Sequence, residues 1–151
     1  MNHAGHYTRL IIMAVLSYIS MYILMYAMVH QFADVFPNIN QAYMAGLMAA
    51  PMVAIEILFM SSMYPNRTAN MAILVLSVVA TIGCFALIRL QTGVGDIQFL
   101  KSMIPHHSGA ILMCERANIT NADIKRLCGT IVQGQRSEID EMNKIINALQ
   151  K

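Results

Sequence analysis

Tryptophan is absent from this chain of 151 residues, and charged residues are scarce, at 12% against 57% hydrophobic. So little charge is unusual for a soluble globular domain and indicates burial in lipid. The net charge is only +2, and no cluster of basic residues indicates nucleic-acid binding. There are three cysteines, an odd number, so at most one disulfide can form within the chain.

The few charges are unevenly distributed along the chain. Residues 1–90 contain three Lys or Arg and two Asp or Glu, whereas residues 91–151 contain seven and six. Three apolar runs, at about 10–29, 43–63 and 71–90, are long enough to cross a bilayer, which requires a helix of ~20 residues. The sequence therefore predicts an all-α protein, with a membrane domain over 1–90 and a solvated helical hairpin over 91–151.

The orientation in the membrane rests on two arginines. Arg9 and Arg67 lie on the same side of three spans, and the first connecting segment contains neither Lys nor Arg. Positive residues favour the cytoplasmic side of a membrane. We therefore expect a cytoplasmic N-terminus and an extracytoplasmic hairpin.

Soft metal-binding side chains are concentrated at the start of the hairpin. The twelve residues from Met103 to Cys114 contain two thioethers, two imidazoles and a thiol. Sulfur and imidazole ligands together favour copper, above all Cu(I), over hard cations. The candidate ligands in this stretch are Met103, His106, His107, Met113 and Cys114.

Two helices and a turn are predicted for the hairpin. Pro105 suits the first turn of a helix, so we expect a short helix from about Asp96 and a separate one from Pro105 to about Ala117. Asn121 is a suitable N-cap for a further helix that runs to about Leu149.

The register of this hairpin follows from folding it antiparallel about residue 121. Cys114 then lies level with Cys128, and His107 lies level with Gln135. Met103 lies within a turn of Glu138 and Met142, because residues three, four and seven apart share a helix face. The predicted hairpin thus has a cysteine layer near the turn and a second polar layer containing Met103, His106, His107, Glu138 and Met142.

Several roles within these layers stay open at this point. Adjacent helical residues point ~100° apart, so His106 and His107 cannot easily bind one ion together. Cys114 and Cys128 are interpreted as a disulfide, part of the metal site, or buried thiols. Further candidates are Met113 as a ligand or a packing residue, and Glu115 and Gln135 as residues that orient a ligand.

A stripe of methionines on the second span suggests another hypothesis. Residues 44, 48, 52, 56 and 60 recur every four positions, which places them on one helix face. Methionine on such a face fills gaps in packing, but it also forms a thioether path for Cu(I). An ionisable residue near mid-bilayer costs ~2.5–3.5 kcal/mol, so it either has a function or is a protonated, hydrogen-bonded group. The stripe consists of Met44, Met48, Met52, Glu56 and Met60.

The hairpin resembles a known family through two motifs. They are Phe99-Leu-x-x-Met-Ile-Pro-His-His-x-Gly-Ala and Gln135-x-x-Glu-Ile-x-x-Met. Together they are similar to the family catalogued as domain of unknown function 305, over about residues 96–149. The resemblance implies a ferritin-like fold, a bacterial source and copper binding outside the cytoplasm. It assigns motif positions to Met103, His106, His107, Gln135, Glu138 and Met142.

The same resemblance predicts oligomerisation. Many members of the family have two such hairpins, which complete a four-helix bundle, whereas this chain has one. We therefore expect two copies to dock and build the bundle.

The sequence is consistent with three hypotheses for the function of the protein. The first is a non-enzymatic copper-binding membrane protein that buffers or hands over copper in homeostasis or tolerance. The second is a Cu(I) transporter that uses the stripe on the second span, and the third is a structural or oligomerisation protein without metal. An enzyme is not expected, because there is no Ser/His/Asp set or phosphate loop. In addition, Glu115, Glu138 and Glu141 lack the Glu-x-x-His pairing of di-metal oxidases.

Overall fold

The structure, a computed structural model, describes residues 3–150, with side chains from residue 5 onward. Helix accounts for 85% of it and no strand occurs in the described residues, which confirms the all-α prediction. Short 3-10 turns lie at Met25–Met28, Phe32–Asp34 and Ser61–Met63. The α-helices are α1 (His3–Leu24), α2 (Ile39–Phe59), α3 (Arg67–Leu90), α4 (Asp96–Arg116) and α5 (Ala122–Leu149).

The chain forms two compact units. The first, here called the membrane unit, joins the chain up to Met25 with Asn40–Thr92. The second, the hairpin unit, joins Tyr26–Ile39 with the chain from Gly93 onward. The sequence placed the domain boundary near residue 90 and residues 26–39 with the spans, whereas the structure groups residues 26–39 with the hairpin.

Three stretches are long and apolar enough to cross a membrane: Gly5–Met28, Ile39–Phe59 and Arg67–Leu90. Each stretch begins four or five residues before the apolar run predicted for it, because the residues that precede the run are also helical. At the third span, the side chain of Asn66 accepts the N–H of Ala69 and starts the helix. These helices are those of a membrane protein.

The second span ends at Phe59 rather than near residue 63, because the chain then enters the turn Ser61–Met63. Glu56 consequently lies in the last turn of α2. This corrects the expectation that its carboxyl group lies near mid-bilayer, where burying a charge costs most.

Helix α4 runs without interruption from Asp96 to Arg116, with Pro105 inside it. The prediction of two separate helices here is wrong. Proline has no N–H, so the carbonyl four residues earlier, that of Lys101, loses its partner within the helix. Asn38 replaces that partner, since its Nδ2 lies 3.4 Å from the Lys101 oxygen and its side chain is buried. The helix continues through the proline because a neighbouring segment supplies the missing donor.

That segment, Tyr26–Ile39, packs along α4 within the hairpin unit. The hydroxyl of Ser108, a fully buried residue, accepts the backbone N–H of His30 at 2.7 Å and donates to Asp34 Oδ2 at 2.5 Å. Asp34 is itself buried. The connection between the first two spans is therefore a fixed third element of the hairpin unit.

Helices α4 and α5 pack through an apolar core. Ile104 is completely buried, and its neighbours on both helices recur at the three- and four-residue spacing of one helix face. Burying each such side chain contributes about 1.5–3 kcal/mol. The buried core residues are Leu100, Ile104, Ile111, Ile139, Met142 and Ile146.

Candidate metal centre

The register of the hairpin is the predicted one. Cys114 and Cys128 are bonded as a disulfide, with their Cα atoms 5.2 Å apart. Asn121 caps α5, since its Oδ1 accepts the N–H groups of Asp123 and Ile124. The cap prediction is confirmed, and of the three interpretations of the cysteine pair the structure adopts the disulfide. In this oxidised form the two sulfurs are not thiolate ligands.

The second polar layer is centred on His107 and Glu138. The Nδ1 atom of His107 lies 3.0 Å from Glu138 Oε2, and the histidine side chain is only 15% exposed. The oxygen is within hydrogen-bonding distance but off the N–H direction, since among the described residues Nδ1 makes no aligned hydrogen bond. A carboxylate beside one ring nitrogen orients the imidazole and leaves the other nitrogen for a metal.

His106 and the two methionines of this layer differ in exposure. The His106 side chain is exposed, and its ring centre lies 6.1 Å from that of His107 at an angle of 59°. Met103 is half-buried against the core, whereas Met142 is a core residue with 8% exposure. A soft ion could reach Met103 directly, but it could reach Met142 only if the core opened locally.

The described part of one copy does not bring together a full ligand set of His, Cys, Asp or Glu. Within the residues that the structure describes, no group of three or more His, Cys, Asp or Glu is close enough to hold a metal. The polar layer in this part of the chain offers imidazole and thioether groups, the ligand types that soft ions favour. Gln135, another motif residue, lies half-buried one turn before Glu138.

One side of the hairpin exposes apolar residues around this layer; we call it the ligand side. On α4 the residues of this side occur at positions 99, 103, 106, 110 and 113, the spacing of one helix face. Phe99 is 50% exposed and Met113 is 53% exposed, so Met113 does not fill the core. On α5, Leu127 is 57% exposed. The ligand side comprises Phe99, Met103, His106, Ala110 and Met113 with Ile124, Leu127, Ile131, Glu138, Ile145 and Leu149.

The segment Tyr26–Ile39 contributes functional groups that sequence reasoning missed. Nδ1 of His30 lies 3.4 Å from Glu115 Oε2, and Oε1 of the same carboxylate accepts Arg136 at 2.7 Å. Glu115 was proposed as the partner of an imidazole and has one, although it is neither His106 nor His107. The available signal was a charged residue, Asp34, in the short connection between two apolar runs.

The methionine stripe lies on the surface of the membrane unit. Exposure ranges from 37% at Met44 to 44% at Met48, so these side chains are not the core of a single copy. Glu56 is half-buried, and its Oε1 accepts the Tyr64 hydroxyl at 3.1 Å. Burial, then this hydrogen bond, raises the pKa of Tyr64 above its usual value. The stripe therefore contains a hydrogen-bonded carboxyl group, one turn before its last member, Met60.

Comparison with known proteins assigns the family. Residues 85–149 match the family described as "Domain of unknown function (DUF305)". The "Uncharacterized protein L153" of Acanthamoeba polyphaga mimivirus is 30% identical over 141 residues, which cover 91% of each chain. No solved structure matches the chain. This chain, with its three apolar helices followed by a helical hairpin, belongs to the DUF305 family.

Proposed function

We propose that this protein is a non-enzymatic copper-binding protein of the bacterial cytoplasmic membrane. It holds Cu(I) on an extracytoplasmic hairpin, for buffering or for transfer to a partner in copper homeostasis or tolerance. The observation that carries the proposal is the half-buried His107 ring, which lies beside Glu138. His106 is its neighbour in sequence and Met103 lies about one helical turn before it. An imidazole oriented by a carboxylate, with thioethers on the same helix, suits a soft ion.

The site is completed by a second copy of the chain. One copy supplies few ligands, and the ligand side of the hairpin exposes large apolar residues such as Phe99 and Leu127. Docking two ligand sides would bury these residues and bring the His106 and Met103 side chains of both copies toward each other. The product would be a four-helix bundle with ligands inside, the usual place for metal sites in bundles.

The test is the Cu(I) affinity of the full-length, disulfide-bonded protein in detergent, measured against a competing Cu(I) chelator. We expect copper binding in the wild type and at least a tenfold loss of affinity in the double variant His106→Ala/His107→Ala. His6→Ala, which removes a histidine of the membrane unit, is the matched control and should bind as the wild type does. Equal affinity in wild type and double variant would refute this site, and no copper in either would favour the structural function.

A second candidate function is Cu(I) transport along the stripe of Met44, Met48, Met52, Glu56 and Met60. It is favoured by the exposure of these methionines, which leaves them available to line an axis between copies. Cu(I) uptake into vesicles discriminates the two functions. Uptake that depends on Met48 and Glu56 would support transport, whereas binding without uptake would leave the hairpin as the functional part.

A further inference from the structure

The disulfide lies at the tip of the hairpin, where it is not needed to bring the helices together. Cys114 is in the last turn of α4 and Cys128 in the second turn of α5, with a five-residue turn between the helices. That turn already holds the two helix ends close, and Asn121 caps the start of α5. Because a bridge so near the turn is not needed to hold the helices together, we consider a chemical function for its two sulfurs.

Both cysteines line an open cleft rather than a sealed core. Its volume is about 590 Å³, and each cysteine is only half-buried. Lys125 and Arg136 line the same cleft, although Arg136 is also paired with Glu115. Cysteines beside cationic groups form thiolates more readily and exchange disulfides more readily. The bond is thus accessible to a reducing thiol and to a metal ion.

The reduced pair would be a ligand set for Cu(I). Two thiols would face each other from opposite helices at one level, and thiolates select soft ions. In the described residues no third His, Cys, Asp or Glu joins them, so the four-coordinate site that zinc requires is missing. Cu(I) accepts two sulfur ligands. The resulting complex carries one negative charge, which Lys125 would stabilise.

We propose that Cys114 and Cys128 form a redox-controlled second Cu(I) site, distinct from the His107 layer. A protein or small-molecule dithiol reduces the bridge through a mixed disulfide and itself becomes the disulfide, leaving two thiols. Cu(I) then forms two Cu–S bonds, and the two thiol protons pass to solvent. In the reverse step, a protein or small-molecule disulfide accepts two electrons from the two thiolates and two protons from solvent, and becomes a dithiol. The Cys114–Cys128 bond re-forms and Cu(I) is released unchanged in oxidation state.

This site has its own ligands, so it can be tested apart from the proposed function. The background is the full-length His106→Ala/His107→Ala protein in detergent, compared oxidised and after reduction and removal of the reductant. We expect the reduced form to bind one more Cu(I) per chain, with an ultraviolet thiolate-to-Cu(I) charge-transfer band. Adding a small-molecule disulfide should release that copper.

Two variants in this background assign the ligands. Cys114→Ser/Cys128→Ser should lose the additional copper and the band, whereas Cys84→Ser, which removes the cysteine of the membrane unit, should keep both. Lys125→Gln should fold normally and weaken binding by the reduced form about two- to fivefold, as expected for one exposed charge. Equal copper binding by the oxidised and reduced forms, or additional copper that survives in Cys114→Ser/Cys128→Ser, would overturn the proposal.

Discussion

Glu138 is the residue through which α5 contributes to the candidate copper site. Its carboxylate is 54% exposed and lies 3.0 Å from a ring nitrogen of His107. Such a contact stabilises a histidine whose other nitrogen donates to a metal, because the ring is oriented and made more basic. Loss of the contact between Glu138 and His107 should therefore lower metal affinity more than it lowers folding stability.

We expect Glu138→Gln to weaken Cu(I) binding by about 10- to 100-fold, the usual effect of removing a group that orients a histidine ligand. Thermal stability should change little, since exposed ion pairs contribute about 0–1 kcal/mol. The measurement is chelator competition with the disulfide-bonded protein. Glu141→Gln, three residues further along α5 and also exposed, is the control. If both variants bind copper alike, Glu138 does not orient the ligand.

At the scale of helices, the sequence predicted the hairpin well because its determinants are local. Folding the hairpin antiparallel about residue 121 placed Cys114 opposite Cys128, and the cap at Asn121 followed from residue type. The segment between the first two spans could not be predicted in this way. The hydrogen bond from Ser108 to Asp34 joins residues 74 positions apart in the sequence. The spacing of residues within one helix does not indicate such a distant partner.

Asn38 and Pro105 show how such a distant contact changes an element. Proline at 105 leaves the Lys101 carbonyl without its helical donor, and Asn38 supplies one. Sequence reasoning treated the proline as a helix start, because that is its favoured position. The continuous helix depends on the side chain of Asn38, which lies 63 residues before Lys101 in the sequence.

A double-mutant cycle tests this dependence. Asn38→Ala alone should destabilise the hairpin unit by about 1–3 kcal/mol, because the carbonyl of the half-buried Lys101 loses its partner. In a Pro105→Ala background the restored N–H can bond to Lys101, so the same change should cost about 0.5–1.5 kcal/mol less. Hydrogen exchange of the α4 amides reports both values. Additive effects would show that Asn38 acts elsewhere.

At the scale of the whole molecule, the hairpin unit has two unlike sides. Tyr26–Ile39 packs along one side of α4, where Ser108 and Asp34 meet. The ligand side instead exposes large apolar residues beside His106, His107 and Glu138. Apolar surface of this kind on a small helical unit marks an interaction site. The candidate copper ligands and the candidate dimer interface are thus the same surface.

We therefore expect the protein in detergent to be a dimer, and Leu127→Glu to dissociate it by burying an unpaired charge in the interface. Copper affinity should fall when the dimer dissociates, because within the described part of one copy no group of three or more His, Cys, Asp or Glu could hold the ion. Gln133→Glu places the same charge at another exposed position of α5 and should leave both properties unchanged. Light scattering of the purified protein gives the mass, and chelator competition gives the affinity. A wild type that binds Cu(I) tightly as a monomer would show that one hairpin suffices, whereas a dimer that persists in Leu127→Glu would place the interface elsewhere.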